Sequence, residues 1–327
     1  MRFLKSPTCA ILGLALAAAS AWAACAAAQG YPVRPIRLIV PQSPGGSTDV
    51  IARVVAQRMG EALGQTVIVD NRPSAGTLIG VELVANAAPD GYTLLAVASS
   101  FTIIPALHRK LPFDPVRDVA PIAQLATLPH ILVVHPSVPV ESVKALIALA
   151  TSRPGQLNFA SSGFGTSTHM AAELFMYMTG TRMVNVTYKG GSPAMVAMLG
   201  GECQVNFATI STAIPHVRAG RLRALAVTSA RRSVAAPEYP ALAEAGVPGY
   251  DHSSWIGLFA PAKTPPPVIA RLNAEAAGAA RSQEVKAMLL RDGLEATGTT
   301  PGEFAAIVRS DIAKWMKVAK AAGFKAQ

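Results

Sequence analysis

Hydrophobic positions near the start of the chain alternate between short apolar runs and helical faces. Residues 36–40, Ile-Arg-Leu-Ile-Val, are typical of a buried strand, whereas residues 48–63 place apolar side chains three or four positions apart, as a helix does. The resulting order βαβαβ predicts a mainly parallel sheet with helices on both faces. The predicted elements are strands 36–40, 66–69 and 93–98 and helices 48–63, ended by Gly64, and 79–87.

A second unit with the same alternation begins near residue 131. A strand at 255–260 and three long helices follow it, and no fixed-period repeat is present. Two similar α/β units with a helical tail predict two lobes and a cleft at the carboxyl ends of their strands. The further predicted elements are strands 131–134, 157–160, 184–186, 205–207 and 222–227 and helices 142–150, 169–179, 193–199, 266–280, 283–292 and 301–322.

The first 28 residues differ from the rest and predict a secretory signal peptide. Arg2 and Lys5 precede an apolar run at 10–19, which is shorter than the roughly 20 residues of a membrane span. We expect cleavage near Ala28 and export of the mature chain. A membrane anchor and lipid attachment at Cys25 are the alternatives, although Trp22 stands where lipidation sites usually carry a small aliphatic residue.

The remaining residues are numerous enough for two domains rather than one core. We predict one lobe from residues 29–129 together with 253–327, and a second lobe from residues 130–252. Cys203 is the one cysteine after the predicted signal peptide, so an internal disulfide is excluded and packing must stabilise the fold.

The chain is basic, with a formal net charge of +10, and its basic residues are scattered. Such a charge favours anionic solutes through long-range attraction. Nucleic-acid binding requires a clustered basic face with interleaved aromatic residues, and aromatic residues make up 6% of this sequence. We therefore expect no nucleic-acid partner.

The first loop, residues 41–49, reads Pro-Gln-Ser-Pro-Gly-Gly-Ser-Thr-Asp and joins a predicted strand to a predicted helix. Its glycines let a ligand approach the main chain, and the helix N-terminus offers unpaired N–H groups to an anion. Ser47 and Thr48 can cap the helix or donate to a carboxylate. Asp49 is expected to accept backbone N–H groups and hold the loop in shape. An ordinary βα turn is the alternative.

The second loop, residues 161–169, repeats this arrangement in the second unit as Ser-Ser-Gly-Phe-Gly-Thr-Ser-Thr-His. Gly163 and Gly165 suggest a dinucleotide fingerprint, but Thr168 stands at the third glycine and the expected acidic residue is missing. We expect no cofactor. Charge-assisted hydrogen bonds contribute roughly 1.5–3 kcal/mol each, so four or five donors supply the gross energy of micromolar binding, about 8 kcal/mol.

Catalysis is not predicted, although Ser162, His169 and Asp49 supply the residue types of a hydrolase triad. No Gly-x-Ser-x-Gly motif surrounds a serine. His169 and Glu173 are four residues apart, a spacing that suits a metal or a plain polar pair, and no second pair with zinc-like spacing follows. Tyr188 could line the cleft, and Lys189 beside it is either an attractor of anions or a solvated loop lysine.

Together these segments resemble the substrate-binding proteins of the tripartite tricarboxylate transporters, the Bug-type receptors, over about residues 31–323. Single motifs are weak, but their order and spacing are specific. The residues that carry the resemblance include Tyr31-Pro32, Pro44-Gly45-Gly46 with Asp49, Asn71-Arg72-Pro73, Ala88-Pro89-Asp90-Gly91-Tyr92, Ser161-Ser162-Gly163 with Gly165-Thr166 and His169, Tyr188-Lys189-Gly190, Leu199-Gly200-Gly201 and Glu244-Ala245-Gly246.

The resemblance implies a two-lobed type II periplasmic-binding-protein fold that closes like a flytrap on a small carboxylate, such as a di- or tricarboxylate or an aromatic acid. It implies a periplasmic monomer that works with membrane subunits of a transporter; a sensor signalling to a membrane kinase and an exported hydrolase are the alternatives. Residues of both loops would bind one carboxylate group of the ligand. Residues at positions that vary more within the family would contact its other end. The predicted ligand-binding residues are Ser43, Gly45, Gly46, Ser47, Thr48, Asp49, Ser99, Ser100, Ser161, Ser162, Gly163, Gly165, Thr166, His169, Tyr188, Ala208 and Thr209.

Three departures from the family pattern bear on the ligand. Ser74 replaces a usual glycine, Thr187 replaces a usual proline, and residues 203–208 lack the aspartates often found there. An acidic residue near Ala208 would suit an ammonium group, so its absence argues against an amino-acid ligand.

Overall fold

The computed structural model of the protein describes residues 30–73 and 77–324. The predicted signal peptide and Ser74 lie outside these residues. Within the described ranges, no helix combines the length and the apolar character needed to cross a membrane.

The first half of the fold is built on parallel strands, as the hydrophobic pattern predicts. Strand β1 (Ile36–Val40) pairs in parallel with both β2 (Val67–Asn71) and β3 (Thr93–Ala98). Helices α1 (Ser47–Leu63) and α2 (Leu78–Ala85) connect these strands. Gly64 ends α1 in the left-handed conformation, with φ of 67°. The βαβαβ prediction for this half is confirmed.

The second half repeats the parallel arrangement around β5 (Asn158–Ser161), which lies between β6 (Val184–Thr187) and β7 (Val205–Thr209). The remaining elements of this half are β8, Arg223–Val227, and helices α4, Val143–Ser152; α5, Ser167–Thr179; α6, Gly191–Leu199; α7, Ile210–Arg218; and α8, Leu242–Ala245. The predicted strands and helices here agree with the structure to within a few residues, apart from α7 and α8, which were not predicted.

The long strand β4 (Val119–Val134) joins the two halves, because it contributes to both sheets. It pairs antiparallel with β9 (Ser253–Pro261) in the first half and with β7 and β8 in the second. The pattern predicted residues 131–134 as a strand, which is confirmed, but it did not predict the first twelve residues of β4. Pro121 and Pro129 interrupt its apolar run, and proline lacks the N–H that a central strand normally donates.

The sequence pattern also did not predict two helices that contain an internal proline. Helix α3 (Ser100–Leu107) contains Pro105, and α7 contains Pro215. Proline removes a helical hydrogen bond, so the sequence around it resembles a loop. Helices α9 (Pro266–Arg281), α10 (Gln283–Arg291) and α11 (Pro301–Ala321) match the three predicted tail helices, and β10 (Glu295–Ala296) adds a short antiparallel pair to β4.

Helix α11 packs against both halves of the molecule. Near its start, Phe304 and Val308 join the core that contains Trp255. Near its end, Trp315 and Val318 join the core of the second half. By its contacts, α11 belongs to both halves of the molecule. The predicted lobe boundaries stay a prediction.

Because α11 packs closely on β9, adding a single methyl group at Gly257 is expected to destabilise the fold. Gly257 lies where an added Cβ would approach the Cζ atom of Phe304 to 2.1 Å, and Phe304 is fully buried. We expect Gly257→Ala to lower the free energy of unfolding by about 1–3 kcal/mol, because the ring has no free space to enter. Urea denaturation measures this.

The matched control is Gly278→Ala on the exposed face of α9, where an added Cβ meets no atom within 4 Å. Alanine there should raise the free energy of unfolding by up to about 1 kcal/mol through helix propensity. Equal effects of the two substitutions would show that packing at Phe304 is looser than the distances indicate.

Candidate functional site

The first and second loops have the same backbone geometry. In each, a glycine with positive φ precedes the N-cap of a long helix: Gly45 at 84° before Gly46, and Gly165 at 70° before Thr166. The two N-cap residues have nearly identical ψ, 164° and 165°. An L side chain rarely adopts such positive φ, which explains glycine at both positions.

Neither of the helices α1 and α5 has a side-chain cap among the described residues. The first N–H groups of a helix lack intrahelical partners and together carry a partial positive charge. Residues 43–47 are exposed to solvent, whereas Thr48 and Asp49, the next two residues of α1, are buried. Both helices thus begin with backbone donors of the kind that anions can accept from, one helix in each half of the fold.

Asp49 holds the first loop in shape, as the sequence predicts. Its carboxylate is buried and accepts hydrogen bonds from the Gly45 N–H at 2.9 Å, from Arg53 Nε at 3.1 Å and from Asn71 Nδ2 at 2.9 Å. Burial raises the pKa of Asp49, but these hydrogen bonds and the charge of Arg53 outweigh it and leave the pKa below its ordinary value. The group is therefore ionised at neutral pH.

His169 plays the equivalent part in the second loop, four residues after Gly165. Its Nδ1 accepts the Gly165 N–H at 3.0 Å, so the ring proton resides on Nε2, which faces Glu173 Oε1 at 3.2 Å. The side chain is 1% exposed. Both ring nitrogens of His169 are engaged and the ring is enclosed, so the side chain supports the loop. Contact between His169 and a ligand stays a prediction.

Hydroxyl groups tie the second loop together. The Ser162 Oγ lies 2.8 Å from Thr168 Oγ1 and 3.2 Å from Thr166 Oγ1, and the Thr166 hydroxyl donates to the Gly163 carbonyl at 2.7 Å. Ser161 is fully buried, and its Oγ has no hydrogen-bond partner in the described part of the chain. Among the hydroxyl groups of residues 161–169, that of Ser161 is the one without a hydrogen-bond partner in the described part of the chain.

The carboxyl ends of the parallel strands from both halves meet at the middle of β4. Ser99, at the end of β3, shares a 2.8 Å hydrogen bond with Ser254 of β9, which pairs with Leu128 of β4. Two residues further along β4, His130 pairs with Thr209 at the end of β7. β1, which carries the first loop, pairs in parallel with β3, and β5, which carries the second loop, pairs in parallel with β7. Both loops therefore lie at the strand edges of the two sheets that meet near residues 128–130 of β4.

Tyr188, Ala208 and Ser100, which are also predicted to contact the ligand, lie near these strand ends in different surroundings. The Tyr188 N–H donates to the Ser161 carbonyl at 3.0 Å, which puts the tyrosine beside the second loop. Its hydroxyl, however, lies 3.3 Å from Glu202 Oε2 and is already bonded. Ala208 is buried, and Ser100 begins α3. Contact between any of these residues and a ligand stays a prediction.

Two structural features of the site were not predicted. Asn71 bridges the first loop by donating to Asp49 and to the Gln42 carbonyl at 3.1 Å. Leu107 of α3 lies against Gly165, where an added Cβ would approach Leu107 Cδ1 to 2.4 Å. The motif Asn71-Arg72-Pro73 was a signal for the first feature, whereas the sequence contains no signal for the second.

Surface cavities lie elsewhere on the molecule. One of about 610 Å³ is lined by Asn86, Arg117 and Lys263, and one of about 530 Å³ by His108, Phe113 and Met316. No predicted ligand-binding residue lines either of them, so the evidence for the site is the position of the two loops at the ends of β1 and β5.

Two halves built from parallel strands, joined by a shared strand and each presenting an uncapped helix N-terminus, define a two-lobed α/β solute-binding protein. The chain belongs to the tripartite tricarboxylate transporter receptor family: the model described as "Tripartite tricarboxylate transporter family receptor" matches residues 51–324. The resemblance stated from the sequence is confirmed. Members of this family are periplasmic receptors that bind solutes.

Relatives of known name and structure agree with this assignment. The protein BugT of Bordetella pertussis is 37% identical over 318 residues, which cover 97% of both chains. The structure of Rpa4515 from R. palustris with adipate is 35% identical, covers 91% of this chain and 100% of its own, and gives a TM-score of 0.75. That of MatC from Rhodopseudomonas palustris with bound malate is 31% identical, covers 88% and 100%, and gives 0.71.

The charge of Asp49 predicts a pH-dependent stability. A carboxyl whose pKa is lowered in the folded state stabilises it above the unfolded pKa of about 3.9, and this contribution is lost as the pH falls through the folded value. We expect Asp49→Asn to lower the free energy of unfolding by about 1.5–3 kcal/mol at pH 7, because Arg53 and the Gly45 N–H lose a charged acceptor.

The difference between wild type and Asp49→Asn should shrink between pH 5 and pH 3, as measured by urea denaturation at each pH. Asp292→Asn, at an exposed position just after α10, serves as the control for the loss of one carboxylate. A difference that is the same at both pH values would assign the effect to shape and not to charge.

Proposed function

We propose that this protein captures a small organic carboxylate, a di- or tricarboxylate or an aromatic acid, in the cleft between the first and second loops, and delivers it to the membrane subunits of a tripartite transporter. The observation that supports this most directly is the pair of uncapped helix N-termini, α1 and α5, whose loops follow β1 and β5 at the strand edges of the two sheets that meet near the middle of β4. Each offers N–H donors to an anionic group.

The chemistry of the predicted contacts also favours a carboxylate. The set contains hydroxyl groups and glycines and no lysine or arginine. Recognition would therefore depend on backbone N–H and hydroxyl donors, which suit a carboxylate that is gripped from two directions. Rpa4515 with adipate and MatC with malate, two proteins similar to this chain, hold ligands of this chemical class.

A hydrolase function has no support in the geometry of the triad candidates. Ser162 bonds to the hydroxyls of Thr166 and Thr168, and the nitrogens of His169 are engaged by Gly165 and Glu173. In a triad the histidine would instead accept from the serine and donate to the aspartate. The family to which the chain belongs consists of receptors.

The ligand class is tested by thermal-shift screening of the purified protein against mono-, di- and tricarboxylates, aromatic acids, amino acids and sugars. A ligand that binds only the folded state raises its melting temperature. We expect stabilisation by carboxylates and none by sugars. Failure of every acid in the library, with stabilisation by a neutral solute, would contradict the proposal.

Gly46→Val tests the position of the site. Gly46 has φ of −77°, and an added Cβ would meet nothing closer than the Ser43 carbonyl at 3.7 Å, so the fold should tolerate valine. The side chain would cover the N-terminus of α1, and we expect the Kd for the carboxylate to rise at least tenfold, about 1.4 kcal/mol. Isothermal titration calorimetry measures this.

Gly302→Val at the start of α11 is the matched control, since an added Cβ there meets no atom within 4 Å. It should leave the Kd unchanged. If Gly46→Val binds the ligand as tightly as wild type while its melting temperature is unchanged, the ligand lies elsewhere.

Transport is separated from signalling by the partner that responds to the ligand-bound protein. Ligand uptake into vesicles that contain the membrane subunits should require this protein and be abolished by Gly46→Val. Ligand-dependent activation of a membrane kinase, with no uptake, would favour the sensor alternative.

A further inference from the structure

A turn at the end of α11 positions Phe324, the last residue that the structure describes. Gly323, with φ of 71°, donates its N–H to the Lys320 carbonyl at 3.2 Å, and Phe324 donates to the Ala319 carbonyl at 2.9 Å. This pair of bonds is the Schellman arrangement, which turns the residue after the glycine back toward the helix. The position of Phe324 is therefore fixed by the main chain.

Phe324 lies on the second loop. Its ring centroid is 5.0 Å from that of Phe164, within the loop, and 5.3 Å from that of His169, with the imidazole tilted by 17°. The same imidazole lies nearly parallel to Phe159 of β5, at 6.0 Å and 16°. Aromatic contacts at such distances add about 0.5–1.5 kcal/mol beyond burial.

These aromatic contacts act on the start of α5 through His169. Its Nδ1 accepts the N–H of Gly165, the glycine with positive φ that immediately precedes the N-cap Thr166. A shift of the imidazole would lengthen this hydrogen bond and free Gly165 to leave the conformation that α5 requires. Phe324 contacts the second loop through His169 and Phe164, so its influence on Gly165 passes through these two rings.

The contact also connects the second loop to the first lobe. Helix α11, which ends at this turn, has Phe304 and Val308 in the core built on β3 and β9. Leu107 at the end of α3 lies against Gly165 as well. The second loop is thus supported by two elements that begin on the sheet of the first lobe.

We propose that Phe324 is a positioning residue for the second anion-binding loop, which it holds in its binding conformation by packing on His169 and Phe164. This inference rests on the proposed carboxylate site. It makes the last described residue of the chain, remote in sequence from both loops, a determinant of ligand affinity.

Phe324→Ala tests the proposal with two measurements on the purified full chain. Titration calorimetry with the carboxylate found by screening, or with adipate as the first probe, should show a Kd about five- to tenfold higher, because the loop must be ordered on binding. Amide hydrogen exchange of the ligand-free protein should be faster at Gly165, whose acceptor is no longer held.

Two further variants separate positioning from general packing. Phe324→Tyr keeps the ring and should restore both the Kd and the slow exchange of Gly165. Met316→Ala, an exposed position of the same helix at 49% exposure, should change neither. Amides at the centre of β4, such as that of Leu132, should exchange at the wild-type rate in every variant.

The proposal is overturned if Phe324→Ala leaves the Gly165 exchange rate and the Kd at wild-type values. It is also overturned if exchange accelerates equally at Gly165 and at Leu132, which would show a loss of overall stability. A wild-type protein that binds no carboxylate would refute the proposed function, whereas the Gly165 exchange rate would still report separately on the role of Phe324.

Discussion

The pairing of β4 with strands of both halves is the constraint on which the site depends. A single strand of 16 residues contributes to both sheets, so the two halves cannot be placed independently. Its register with β9 on one side of residue 129 and with β7 on the other brings Ser254 and Thr209 to neighbouring positions. The loops that follow the parallel strands are consequently directed to one region, although they are over a hundred residues apart in sequence.

The two loops reach the same backbone geometry with different acceptors. In the first, the acceptor for the glycine N–H is the ionised Asp49; in the second, it is the neutral Nδ1 of His169. A buried carboxylate near an anion site would repel the ligand, and here Arg53 and Asn71 bond to it. The second loop avoids this repulsion, because its acceptor carries no charge. Asp49 and His169 therefore both hold a glycine N–H in place, but only Asp49 does so with a charged group.

Much of this architecture could be predicted from the sequence because its causes are local. The periodicity of apolar residues located most strands and helices, and the Gly-Gly-Ser-Thr-Asp pattern of the first loop indicated both an exposed helix start and the role of Asp49. Where prolines interrupt an element, as in β4 and α3, local rules favour a loop, and tertiary pairing overrides them.

Other features of the site depend on contacts between distant segments. The burial of His169 is produced by Phe159 and Phe324, which lie 10 residues before it and about half the chain after it. Nothing in the sequence near His169 distinguishes an enclosed imidazole from one that faces a ligand. The same applies to Leu107 against Gly165, since α3 itself was not predicted.

Two buried histidines lie at the junction of the two halves. His130 of β4 and His252, just before β9, have nearly parallel rings 5.5 Å apart, and both are buried. Burial lowers the pKa of His130 to about 4; burial, together with His130 and Lys314, lowers that of His252 well below its usual value. His252 also contacts Ser167 at the start of α5 through Nε2, at 3.0 Å from the serine Oγ. A buried charged group at this position would carry a desolvation cost, which two neutral imidazoles avoid.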